Sequence, residues 1–203
     1  MAGALSVGLA VLAASGPALA ELIHSDRPLW TPYGDDGVWP LHADEKGEIG
    51  CFYPVQSGDW RLALADGPLS RATSWRRFAF TGPIHCWLEV SAASEDGPFG
   101  DPRPGFLIEL GKVGGRELWV LQVGAMPGSD YEFLARAPGG RVDRPFDVLQ
   151  AHCPTDRLED SPPLDILITR YCHINSRAEL IALARRMAAL PPAGTLTFEH
   201  ATP

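Results

Sequence analysis

Hydrophobic and polar positions alternate in short runs over most of this chain. In "DWRLAL", Trp60, Leu62 and Leu64 fall on one face, with Arg61 and Ala63 on the other. That period of two is the mark of a half-buried strand. "SWRRFAF" follows. In "IHCWLEVSA", Ile84, Cys86, Leu88 and Val90 share a face that His85, Trp87 and Glu89 oppose. "FLIEL", the turn "GKVGG" and "RELWVLQV" read as a hairpin. Its second arm is apolar on both faces from Trp119 to Val123, as a strand between two packed layers would be. "YEFLARA", "PFDVLQAH" and "LDILITRY" are further strands. Glycine and proline between the runs keep the connections short.

The period changes once, near the C-terminus. Ser176 is placed as an N-cap, with Glu179 three residues on to complete a capping box. Leu180, Leu183, Ala184, Met187 and Leu190 then form a single apolar stripe, which predicts a helix over 176–190. Arg185 and Arg186 stand where the carbonyl end of a helix favours positive charge. Pro191 and Pro192 stop it, and "TLTFEH" reads as a final edge strand. The pattern gives an α+β, β-rich fold. It is a mostly antiparallel sheet, either a sandwich or a partly open barrel, with one C-terminal amphipathic helix followed by a short strand. A helix apolar on one side covers one sheet face or closes one barrel end.

The start of the chain is of another kind. Residues 1–20, MAGALSVGLAVLAASGPALA, carry no charged side chain and end in Ala18-Leu19-Ala20. A short apolar run before an A-x-A site is the pattern of a secretory signal peptide. Residues 21–50 are broken by Pro28, Pro32 and Pro40 and carry Trp30, Tyr33 and Trp39. We expect an irregular, aromatic-bearing segment packed on the domain that spans 51–203. Asp35, Asp36, Asp44, Glu45 and Glu48 lack the spacing of a calcium loop.

Charge narrows the partners. The chain of 203 residues has 17 basic and 25 acidic side chains, a net charge of −8. Such a balance disfavours coating nucleic acid. The single basic-aromatic cluster, Arg71, Trp75, Arg76, Arg77 and Phe78, fits a strand whose arginine stems cover apolar surface. No second apolar stretch is long enough to span a membrane after the first twenty residues.

Three of the four cysteines adjoin a histidine: His85-Cys86, His152-Cys153 and Cys172-His173. Neighbours on a strand point to opposite faces, so such a pair does not share an ion. No C-x₂₋₄-C or H-x₃₋₅-H pair suggests zinc. With an exported chain and an even count, disulfides are the natural reading. The strand ends favour Cys153–Cys172, which leaves Cys51–Cys86 as the second pair, without excluding the other connectivities.

Catalytic and cofactor fingerprints are missing: no G-x-S-x-G, H-E-x-x-H, P-loop or G-x-G-x-x-G occurs. His42 and Glu45 are a two-residue coincidence. Glu109 and Glu117 flank the hairpin turn and read as exposed side chains, although paired carboxylates can also hydrolyse glycosides. A Ser/His/carboxylate set can still assemble in space, so a small hydrolase stays open as an alternative. Gly58-Asp59-Trp60 opens a strand, about eight strand signals follow, and Arg170 precedes the helix. This layout is similar to that of the lipocalins. The resemblance implies a closed cup and a small hydrophobic ligand. In a cup, some of Trp60, Leu62, Phe106, Ile108 and Trp119 would line an apolar cavity; in a sandwich they would fill the core. The leading expectation is an exported, periplasmic or secreted, disulfide-stabilised and non-enzymatic binding or envelope-associated domain. It requires no cofactor or metal, and its partner is a protein or a small apolar ligand.

Overall fold

The computed structural model describes residues 21–30, 41–43, 49–51, 55–64, 74–81, 87–94, 97–124, 128–139, 141–149, 153, 158–160 and 170–200. Thirteen strands and one helix succeed one another along them. The strands are β1 (Glu21–Ser25), β2 (Leu41–Ala43), β3 (Ile49–Cys51), β4 (Gly58–Leu64), β5 (Ser74–Thr81), β6 (Trp87–Ser94) and β7 (Arg103–Val113). Then come β8 (Arg116–Val123), β9 (Ser129–Arg136), β10 (Phe146–Leu149), β11 (Leu158–Asp160) and β12 (Arg170–His173). Helix α1 (Arg177–Met187) precedes β13 (Pro192–His200).

Eight of these strands close on themselves. The sheet runs β10-β13-β4-β5-β6-β7-β8-β9, and β9 pairs again with β10. Every step of that ring is antiparallel. The expected β-rich, mostly antiparallel sheet with a C-terminal helix and a following strand is therefore present, and its ring of eight strands makes it a barrel and not a sandwich. Closure hides the edges that an open sheet would expose. It also corrects the reading of "TLTFEH" as an edge: β13 is bonded on both sides, to β4 and β10.

β9 holds the design together because one of its edges serves two partners. Ser129–Tyr131 pair with β1, whereas Phe133–Ala135 pair with β10. Where β9 leaves β10, the sheet branches outward through β1, β12 and β11. β1 lies parallel to β12, the one parallel step among the described residues. The segment expected to be irregular thus begins as a strand inside the sheet. β2 and β3 form a separate two-stranded sheet.

Alternation along β8 and β9 sorts their side chains into two cores. Leu121 and Leu134 point into the barrel, with Trp60, Leu62, Phe78, Leu88, Val90, Leu107, Phe146, Val148 and Leu196. Leu118, Val120, Tyr131 and Phe133 point outward, against Leu180, Leu183, Ala184 and Met187 of α1, Ile23 of β1, Trp30 and Ile174. This explains why the run from Trp119 to Val123 is apolar on both faces. The helix covers the outside of the barrel wall.

Local chemistry sets the joints. Ser176 caps α1 by accepting from the Glu179 N–H at 3.2 Å, and the Glu179 carboxylate accepts from the Asn175 N–H at 3.0 Å. The helix ends at Met187, so Leu190 lies beyond it and is exposed. The β7–β8 turn is shorter than "GKVGG". Gly111 takes φ +95° at a bulge and lets β7 continue to Val113. Only Gly114 and Gly115 turn, both at positive φ, as a two-residue hairpin of the primed type demands. Cys153 and Cys172 are joined by a disulfide with Cα atoms 5.5 Å apart. It is the pair favoured by the strand ends. The proposed partner pair falls outside the described residues at Cys86, as do the first twenty residues, the acidic positions from Asp35 to Glu48, and His85 and His152.

Candidate functional site: the charged end of the barrel

An eight-stranded barrel is just wide enough for its own side chains to fill. Here the filling is apolar through the middle. Trp60 is fully buried, edge-on to Phe78 at 6.0 Å and to Phe198 at 5.5 Å, with Phe146 at 6.0 Å. Its indole N–H donates to the Gln56 carbonyl at 2.9 Å. Polar side chains occupy the two ends, and the inward positions of β9 show why. Leu134 is flanked by Arg136 on one side and by Glu132 and then Asp130 on the other.

The Arg136 end is shut. Its guanidinium donates to Glu117 at 3.0 Å, on the neighbouring strand, and lies over the rings of Phe146 (4.9 Å) and Trp119 (5.8 Å). Both partners of the ion pair are largely buried, at 8% and 14% exposure. Glu117 also accepts from the Gly139 N–H at 3.0 Å. Burial works to raise the Glu117 pKa, but the Gly139 and Arg136 hydrogen bonds and the Arg136 charge hold it below the ordinary value. Glu117 is thus not the exposed side chain its sequence suggested. Glu109 is exposed, and nothing joins the two carboxylates as a catalytic pair.

The opposite end is charged, and its side chains are partly exposed. Arg76 of β5 and Glu132 of β9 approach to 3.9 Å, each 24% exposed. β5 and β9 stand four strands apart by either route around the ring. Their side chains can meet only across the lumen. Above Glu132, Asp130 accepts from Arg103 at 3.0 Å and bonds His24 Nδ1 at 3.0 Å. His24 reaches it because β1 takes over the β9 edge at this level, in register with Asp130. Next to His24 on β12 stands His173, whose Nε2 lies 3.5 Å from Asp26.

A histidine bonded to a carboxylate is half of a catalytic triad. Its serine neighbours point elsewhere. Ser25 Oγ donates to the Arg27 carbonyl at 2.6 Å and shares a 2.8 Å bond with the Tyr131 hydroxyl. Ser129 Oγ donates to the Gly124 carbonyl at 2.8 Å. Adjacent residues on a strand face opposite ways, so Ser25 and His24 cannot act on one atom. Burial raises the Tyr131 pKa, only partly offset by its bonds to Ser25, Leu29 and Ser129. Tyr131 therefore stays a neutral, structural hydroxyl. No three His, Cys, Asp or Glu side chains among the described residues gather to hold a metal ion.

The N-terminal segment is fixed beside this end by its backbone. The fully buried Gln122 amide accepts from Trp30 N at 3.0 Å and donates to Trp30 O at 2.8 Å, as a strand partner would. Arg177 donates to the Leu29 carbonyl at 2.6 Å and lies over the Trp30 ring. Of the basic-aromatic cluster, Arg77 points out and grips Asp59 in a two-point bond at 2.6 and 2.9 Å. Arg76 points in. Glu132, Asp130 and His24 have no signature in the sequence: "SDYEF" alternates polar with aromatic, so its acids read as a solvated face. Only knowing that β9 is covered on both sides reverses that reading.

No protein-family model, no curated protein and no solved structure matches the chain.

Proposed function

We propose that this chain is an exported, disulfide-stabilised, non-enzymatic binding domain that works through the charged end of its barrel. One observation carries the reading. The lumen is packed with buried apolar side chains around Trp60, whereas one end carries facing charges that are partly exposed. The Cys153–Cys172 disulfide and the leader-like first twenty residues support an oxidising, periplasmic destination. The test is fractionation of a Gram-negative host expressing the full chain with a C-terminal tag. The tagged protein should leave with the periplasmic contents, start at Glu21 and show no alkylatable thiol. Cytosolic protein that keeps residues 1–20 and has free thiols would overturn the proposal.

A second reading, a small hydrolase, is favoured by the His24–Asp130 pair alone. A lipocalin-like carrier is favoured by the ring of eight strands and by Gly58-Asp59-Trp60 at its entry. Two features speak against the carrier. Trp60, Leu62 and Trp119 fill the barrel, whereas Phe106 and Ile108, expected beside them, alternate with Leu107 onto its outer face, and Arg170 lies on β12, outside the ring.

A further inference from the structure

Arg76 and Glu132 face each other across the lumen without completing a hydrogen bond. Their closest N···O separation is 3.9 Å, beyond hydrogen-bond reach. Arg76 spends one bond on the Trp75 carbonyl at 3.3 Å. Glu132 accepts no hydrogen bond from any described residue. Three-quarters buried, both have surrendered much of their hydration for a loose charge contact, a poor exchange in a domain built for stability alone. Their neighbours differ. Asp130 is satisfied by His24 and Arg103, and Arg77 by Asp59. The unspent capacity is confined to one guanidinium and one carboxylate on opposite walls.

We infer that the charged end of the barrel binds a small zwitterion, a free α-amino acid with a short side chain. Its carboxylate would lie against Arg76, whose planar fork suits two oxygens. Its ammonium would lie against Glu132, whose lone pairs are open. The ligand's ion pair runs antiparallel to that of the protein, so neither side chain has to leave the other. The floor sets the size. The next inward residues along the two strands are Leu134 after Glu132 and Phe78 after Arg76, and both are fully buried in the lumen. They offer a short apolar contact and no depth for a long tail. The inference rests on the binding-domain reading, whose export and oxidation the fractionation experiment above scores without reference to any ligand.

The test is calorimetric titration of the full, oxidised chain with L-alanine and L-serine, and separately with propionate and ethylamine, which each carry half of the zwitterion. The amino acids should bind saturably, one to one. Propionate and ethylamine should bind at least about tenfold more weakly, since each leaves one charge unpaired. Glu132→Gln and Arg76→Gln should each weaken amino-acid binding by about tenfold or more while circular dichroism stays unchanged. Absence of amino-acid binding to the unaltered protein would overturn the inference. So would propionate or ethylamine binding as tightly as alanine, or folded variants binding alanine as tightly as the parent chain. The comparison among the four probes needs no variant and stands even if both substitutions impair folding.

Discussion

Glu117 and Arg136 show how much one residue's surroundings can outweigh its sequence context. Glu117 sits two positions from a hairpin turn, where an acid is expected in water, yet Arg136 and Gly139 hold its carboxylate inside the shut barrel end. Its pKa is depressed in the folded state. A depressed carboxylate stabilises the fold fully above its unfolded pKa of about 4.3 and loses that contribution as pH falls through the folded value. Glu117→Gln should cost on the order of 2 kcal/mol at pH 7, because it leaves the Arg136 charge largely buried and unpaired. The parent and variant stabilities should converge as pH falls below about 4. Urea unfolding at pH 7 and pH 3 measures both. An equal gap at the two pH values would show that the carboxylate charge is not what matters. Residues of this kind were illegible from sequence because strand alternation assigns two faces without saying which are buried. Arg76, Glu132, Arg136 and Asp130 all look like surface residues until the barrel closes around them.

Elements were more legible. Period-two runs located β4 to β10, and the capping box located α1 with Ser176 as its cap. The misses had local causes: a bulge at Gly111 carried β7 past its apparent turn, and β1 drew its order from β9 and β12. The helix face is a sharp test of the outer core. Leu183 is buried against the barrel wall and Ala182 is exposed. Leu183→Arg should cost several kcal/mol or prevent folding, because it drives an unpaired charge into that core. Ala182→Arg should stay within about 0.5 kcal/mol of the parent chain by thermal melting. Equal losses would mean that α1 does not lie on this face. The disulfide tests how β12 is held. Cys153 and Cys172 are 19 positions apart, and a loop of that size predicts about 3 kcal/mol of stabilisation on chain-entropy grounds. Replacing both by serine should lower the denaturant midpoint accordingly while leaving the strand signal in circular dichroism. An unchanged midpoint would remove the disulfide from the account of stability.

At the scale of the whole molecule, the decisive event is closure, and sequence cannot show it. Barrel and sandwich strands alternate alike; what separates them here is that β10 finds β9 as well as β13. Closure also requires β13 to approach β4 closely. At Gly194 an added Cβ would come within 2.4 Å of the Ala63 carbonyl oxygen and 2.9 Å of the Leu64 Cα, both backbone atoms. Gly194→Ala should therefore destabilise the protein by about 1–3 kcal/mol and deprotect the β4–β13 amides in hydrogen exchange ahead of those between β7 and β8. Uniform loss of protection would show that the seam is not special. In a ring filled in this way the centre is packed with apolar side chains and the charges stand at the ends. Titration of the oxidised protein with an environment-sensitive apolar dye, followed by competition with a fatty acid, tests that division most directly. The packed lumen predicts no saturable dye signal that the fatty acid can displace, whereas one-to-one binding reversed by the fatty acid would contradict the account and make the barrel a carrier of apolar ligands.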